Sequence, residues 1–408
     1  MKILHITSTY LPSVNGVAVS VSNTAQAQRN LGHSVVVLAP SVNGSKDEEI
    51  GVIRYPSLPN PLRTDYPIPL IPLNGQIIKV LSEEKFDVVH AHHPSYIAMF
   101  ADIVSTLNNI PLIFTYHTRY DEYIKQNLNV LPKEFAEKIA YYTTKRALKK
   151  ADVVVVPSEF MRSFLQKQKT DVVTKVIPTG IGNMTTTGVT KKKLLAKFDL
   201  DSTNKVLISV CRLAKEKNVQ LIVKMMNYLP DEYHLLIVGD GPSKNDLLKL
   251  THKQKVADRI VFVGKIPHGQ VADYYNSADL YVCSSFTETQ GLTLLEAFSF
   301  GLPVVAVSSP VNKEWINPDT GLISKNSPKT FAGCVVHIFD SGPKKYSKKV
   351  RKIAKENSIE RSAQKIIEVY DNAIVKRKEK FSLRKEFQKN LEKSREYWDK
   401  FIKLINDY

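Results

Sequence analysis

Short, dense aliphatic runs recur along the chain, separated by stretches in which apolar residues return every third or fourth position. MKILHIT, SVVVLAP, FDVVHAH, PLIFTYH, ADVVVVPS and TKVIPTG are rich in Val and Ile without alternating. That is the pattern of strands covered on both faces. Stretches such as VSVSNTAQAQRNLGH, which closes on a glycine stop, read as helices. Strands alternating with helices imply an α/β protein with a parallel, doubly wound sheet. After a polar stretch from Gly182 to Lys193 the pattern restarts with KVLISVCRL, YHLLIVGDG, RIVFVGKI, ADLYVCSS and LPVVAVSS. Two Rossmann-like domains facing across a cleft are therefore expected, with ligands at the carboxyl ends of the strands. The pattern places them at residues 1–183 and 184–375, followed by a tail over 376–408.

Two segments break the alternation. Residues 54–73, RYPSLPNPLRTDYPIPLIPL, hold six prolines, which excludes a regular helix or a central strand. This stretch reads as a semi-rigid, partly apolar loop: a surface excursion, or a lip facing the acceptor or a membrane. In the tail, Leu383, Phe387, Leu391, Trp398, Phe401, Ile402 and Ile405 fall near one helical face, with Lys and Arg covering the rest. Such a basic amphipathic helix can lie in a membrane interface or pack on the protein's own surface.

Bulk properties narrow the class. At 408 residues and 43% hydrophobic content the chain has room for two ordinary globular cores. No apolar run reaches the roughly 18 residues needed to span a bilayer, and the start reads as a first strand rather than a signal peptide. Cys211, Cys283 and Cys334 lack metal or redox spacing and read as reduced core thiols of a cytosolic protein. Net charge is +17, and residues 341–408 alone carry 20 Lys and Arg against 10 Asp and Glu. No nucleic-acid-binding signature accompanies this excess, which favours an anionic membrane surface as partner over nucleic acid.

The most informative chemistry lies in ETQGLTLLEAFSFG, residues 288–301, where Glu288 and Glu296 stand eight apart. Eight residues make about 2.2 helical turns, so the pair does not stack on one helix face. Glu288 is better placed in a loop after LYVCSS, and Glu296 inside a helix starting near Gly291. The amides opening that helix would suit a phosphate or a sugar hydroxyl. Spacing alone leaves two solvated surface carboxylates as the other reading.

With VCRLAKEKN, IVGDGP, RIVFVGKIP and YYNSADLYVCSS preceding that segment in order, the chain resembles the retaining glycosyltransferases of family 4, of GT-B fold. The resemblance runs from Met1 to about Ile374. It implies a nucleotide-diphosphate sugar as donor, whose leaving group gains negative charge that cations must meet. Arg212 and Lys217 match the family's phosphate-binding pair, one a planar fork and one a point charge. Gly16 would let backbone approach the diphosphate, although this chain has Asn15-Gly16 where the family often has two glycines. By the same resemblance Glu296 binds the ribose hydroxyls and Glu288 the transferred sugar. Backbone groups of Gln290, Gly291 and Leu292 contact sugar and phosphate. The turn carrying Gly239 and Gly241 floors the nucleotide pocket, and Lys265 and Ile266 read the base through backbone groups. His117 matches the family's active-site histidine, with a hydrogen bond to the sugar or the leaving phosphate. The implied mechanism is front-face substitution, with no enzymic nucleophile.

Two patterns are set apart as coincidental. His90, His92 and His93 have no carboxylate or cysteine at suitable spacing for a metal, and a strand-end reading is more economical. Asp199-Leu200-Asp201 mimics a metal-binding D-x-D but precedes the first strand of the second domain. Neither a metal nor another cofactor is expected. YPIPL, AHHPSYIA and TYHTRYDEY look most like the diacylglycerol α-glucosyltransferases, with phosphatidylinositol mannosyltransferases as cousins. That implies UDP-glucose, a diacylglycerol acceptor and a cytoplasmic enzyme held peripherally on the inner face of the cell membrane. The alternatives are a GDP-mannose-dependent α-mannosyltransferase, an inactive sugar-nucleotide-binding subunit, and a sugar epimerase, for which no second set of cleft carboxylates is evident.

Overall fold

A computed structural model of the chain describes residues 1–13, 15–42, 50–58, 68–70, 75–94, 96–119, 133–168, 172–201, 203–379 and 382. The amphipathic tail beyond Ser382 and most of the Pro-rich loop lie outside the described residues. Contacts divide the chain into two compact units, one of Met1–Val155, Thr170–Lys175 and Gln364–Tyr408, the other of Val156–Lys169 and Val176–Ala363.

The first unit is built on a seven-stranded sheet, in the order β3-β2-β1-β6-β7-β8-β9. Its strands are β1 (Lys2–Ile6), β2 (Ser34–Pro40), β3 (Val52–Tyr55), β6 (Val88–Ala91), β7 (Leu112–Thr115), β8 (Val153–Val156) and β9 (Thr174–Val176). Two short strands, β4 (Ser57–Leu58) and β5 (Ile68–Pro69), form an antiparallel ribbon inside the Pro-rich stretch. The first helix, Gly16–Asn30, starts where Asn15 Oδ1 accepts from Ala18 N at 2.9 Å. Asn15 thus works as an N-cap, contributing about 1 kcal/mol, at a position where the resembled family often has a glycine.

The second unit carries a six-stranded sheet, β12-β11-β10-β13-β14-β15. These are β10 (Lys205–Val210), β11 (Tyr233–Val238), β12 (Ile260–Gly264), β13 (Leu280–Cys283), β14 (Val304–Val307) and β15 (Gly321–Ser324). Every registered pairing within it is parallel. Successive residues of β10 and β11 enter opposite cores: Leu207, Leu235 and Ile237 one, Val206, Ile208, Leu236 and Val238 the other. Both faces are covered, which is why these strands read as unbroken aliphatic runs. Each fully buried Val, Leu or Ile contributes about 1.5–3 kcal/mol. Ser309 and Ser327 cap helices that open on Pro310 and Pro328, a proline position that loses no intrahelical bond.

The contact boundary falls at Val156, ahead of the expected 183/184. Ile177 N donates to Val156 O, and Ile359 N to Ile181 O at 2.9 Å, so residues from Val176 on pack with the second unit. Residues 359–379 are helical. From Gln364 that helix belongs to the first unit, where Tyr370 is fully buried. Among the described residues no helix is long and apolar enough to cross a membrane.

Candidate active site

In each sheet the strand order reverses once, and there the crossovers leave the carboxyl ends of two strands open to a ligand. In the second sheet the reversal lies between β10 and β13. Arg212 and Lys217 follow β10, and Glu288 follows β13. Lys217 Nζ meets Glu288 Oε1 at 2.6 Å, with side-chain exposures of 24% and 19%. Burial works against both charges. The Glu288 carboxylate nevertheless raises the Lys217 pKa, and the ammonium in turn holds Glu288 below the usual carboxylate range. Arg212 is exposed and makes no ion pair among the described residues. The two cations expected to act as a pair therefore differ: Lys217 is already neutralised, whereas Arg212 presents its charge to an incoming anion.

The backbone carrying Arg212 is fixed from the neighbouring strand. Leu213 N donates to Asp240 O at 3.0 Å and Cys211 N to Val238 O at 3.1 Å. A Cβ on Gly239 would lie 1.9 Å from Cys211 O, and one on Gly241 2.4 Å from Leu213 O. Gly239 also sits at φ +135. The two glycines are thus required by this close backbone approach. Lys265 is exposed, and Ile266 packs against the second core.

The loop from Glu288 to the next helix is clamped. Ser158 Oγ donates to Thr289 O at 2.7 Å. The Gln290 amide pairs with Thr179, accepting from its N–H at 2.7 Å and donating to its carbonyl at 2.6 Å. Trp315 Nε1 donates to Gln290 O at 2.7 Å. Of the Gln290 backbone groups, expected to contact sugar and phosphate, the carbonyl is therefore engaged by the protein. Gly291, at φ 81, is the N-cap of Leu292–Ser299 and has no side chain to satisfy the opening amides. Glu296 lies within that helix, and Tyr275 Oη donates to its Oε2 at 2.9 Å. The loop-then-helix placement of Glu288 and Glu296 agrees with the sequence reading. Tyr275, Ser158, Thr179 and Trp315 were not singled out, because each meets its partner only across the fold.

In the first sheet the reversal lies between β1 and β6, and there the histidines gather. His5 on β1 stands in register with His90 on β6. His92 Nδ1 lies 3.0 Å from His117 Nε2, and His5 Nδ1 2.8 Å from His92 Nε2. Burial drives His117 down to about 3 and His5 to about 4, so the rings are neutral. The ligand atoms of His5, His90 and His92 lie within 4.8 Å of one another. Both nitrogens of each ring nevertheless hydrogen-bond to protein partners, so this donor set does not fit a resident metal. Nothing within 4 Å would meet a Cβ on Gly16, so packing does not demand that glycine. Asp201 Oδ1 accepts from Thr203 N at 2.7 Å and from its hydroxyl at 2.6 Å, which commits the D-x-D mimic to its own turn.

Two doubly wound parallel sheets, the second carrying a half-buried Lys–Glu pair and a glycine-capped helix start at its switch point, define a GT-B glycosyltransferase. The model for Glycosyltransferase Family 4 matches residues 14–182, and that for Glycosyl transferases group 1 matches residues 190–357. The chain belongs to the family 4 glycosyltransferases and is a hexosyltransferase. It is 28% identical to the alpha-monoglucosyldiacylglycerol synthase of Streptococcus pneumoniae, over 99% of this chain and 91% of that protein. Identity to the Acholeplasma laidlawii enzyme of the same name is also 28%, over 83% and 88%. Anabaena HepE in complex with UDP superposes with a TM-score of 0.72 at 18% identity, covering 91% of this chain and all of that one.

Proposed function

We propose that this enzyme transfers an α-glucosyl residue from UDP-glucose to diacylglycerol at an anionic membrane surface on the cytoplasmic face. The observation that carries the reading is the Lys217–Glu288 pair with the uncommitted Arg212 beside it. The names of the two lipid synthases matched over most of their length support a glucosyl group and a diacylglycerol acceptor.

As the bond from the sugar's anomeric carbon to the diphosphate oxygen breaks, negative charge grows on UDP. Arg212 and the Leu292 and Thr293 amides, which open the helix Leu292–Ser299, meet that charge. The acceptor hydroxyl forms the new bond on the same face, and its proton passes to the departing phosphate oxygen, so configuration is retained. Glu288, held ionised by Lys217, accepts hydrogen bonds from sugar hydroxyls. Glu296, steadied by Tyr275, does the same for the ribose. The charges are met by side chains and amides, so a divalent metal is not required. The basic excess of the last 68 residues favours anionic lipid, at roughly 1 kcal/mol per residue close to the surface.

Purified protein given UDP-glucose or GDP-mannose with diacylglycerol liposomes, with and without anionic lipid, tests the reading by chromatography of the products. Glucolipid from UDP-glucose alone, rising with anionic lipid, is expected. Mannolipid from GDP-mannose would replace the donor. Nucleotide release without glycolipid would remove diacylglycerol as acceptor.

A further inference from the structure

Three buried histidines, His5, His90 and His92, and the half-buried His117 form one hydrogen-bonded chain around the first sheet's switch point, and a single amide stands at its head. Gln28, on the first helix and fully buried, turns Oε1 to His5 Nε2 at 2.7 Å and donates from Nε2 to Tyr370 Oη at 3.2 Å. A carbonyl oxygen only accepts, so His5 carries its proton on Nε2. Neutral His5 then accepts at Nδ1, and His92 donates to it from Nε2 at 2.8 Å. His92 accepts in turn at Nδ1, and His117 donates from Nε2 at 3.0 Å. A second branch runs through the phenol: Tyr370 Oη, accepting a hydrogen bond from Gln28, donates to His90 Nδ1 at 2.5 Å, and His90 Nε2 donates to Thr115 Oγ1 at 2.6 Å. Every ring in both branches has one proton and one acceptor nitrogen, and reversing the Gln28 amide would reverse them all. Burial lowers the pKa of each of the four rings, which keeps the chain uncharged.

We propose that Gln28 is a positioning residue whose carbonyl oxygen, acting through His5 and His92, fixes His117 as the Nε2–H tautomer with an unprotonated Nδ1. A histidine's tautomer is set by the hydrogen bond its other nitrogen makes. Any group that meets Nδ1, from the protein or from substrate, must therefore donate. The consequence for sugar transfer rests on the glycosyl-transfer reading above, whereas the tautomer does not.

The full chain labelled with 15N-histidine, examined by long-range proton–nitrogen correlation, reads the tautomers directly, the His117 signal being assigned by its loss in His117→Asn. The wild-type spectrum is expected to show a single Nε2–H form at His117. In Gln28→Met, which keeps the side-chain length and removes both hydrogen bonds, that single form should give way to a mixture. Sugar transfer should fall about ten- to a hundredfold, as when the orienting partner of a functional histidine is removed, with the loss in kcat and the donor KM within about twofold of wild type. An Nδ1–H ring at His117 in the wild type overturns the proposal, whether or not the variant folds. So does an unchanged tautomer in Gln28→Met. A chain that transfers no sugar yet shows the Nε2–H form supports the relay and removes only its consequence for transfer.

Discussion

Replacing Glu288 with Gln removes one charge from the pair at the second sheet's switch point while keeping its shape. The partners lie 2.6 Å apart and are mostly shielded from water. Losing a charge-assisted hydrogen bond costs about 1.5–3 kcal/mol, and stranding a fully buried charge costs about 3–5 kcal/mol. Lys217 keeps some access to solvent, which places the loss near the lower figures, about 2 kcal/mol. For a unit of this size that corresponds to a fall in Tm of about 4–8 °C. The sign with pH follows from the two shifts. Glu288 is depressed, so its contribution is present above the unfolded carboxylate pKa, about 4.3, and is lost as pH falls through the folded value. Lys217 is raised, so its contribution is full below about 10.4 and is lost as pH rises through the folded value. The gap between wild type and Glu288→Gln should therefore stay constant from about pH 6 to 9 and close in acid. Calorimetric melts from about pH 2 to 9 measure it. A shift under about 1 °C at neutral pH, or a gap that persists unchanged down to about pH 2, would refute the pair as a source of stability.

The remaining predictions address other parts of the site. Gly239→Ala drives a Cβ to 1.9 Å from Cys211 O at φ +135, and should cost about 3 kcal/mol or more, seen as an early melting transition. Tyr275→Phe removes the bond to Glu296 and should cost about 1 kcal/mol, read as a severalfold rise in donor KM with a smaller change in kcat. Arg212→Ala should lower kcat by about a hundredfold or more, the scale of losing one transition-state charge partner, with the melting temperature unchanged because that side chain makes no ion pair among the described residues. A chelator should leave the transfer rate unaltered, and a rate restored only by added divalent metal would refute the metal-independent reading.

Local pattern decided the secondary structure of this chain to a large extent. Val- and Ile-dense runs of four to seven residues became β1, β2, β6, β7, β8, β10, β11, β13 and β14, because strands covered on both faces need apolar residues at every position. The edge strands β3 and β15, VIRY and GLIS, escaped notice: one covered side leaves a short run mixed in character. Motif order likewise placed Arg212 and Glu288 near strand ends and Glu296 in the helix that follows. Tertiary structure alone decided what these residues touch. Lys217 and Glu288 are 71 residues apart, His5 and His92 are 87 apart, and Gln28 reaches Tyr370 across 342. Such pairs come together because parallel strands bring the ends of distant segments side by side, and sequence periodicity reports only which face of an element is apolar. The helix through Tyr370, its first turn in one unit and the rest in the other, was equally invisible, since its apolar face reads the same whichever core it enters.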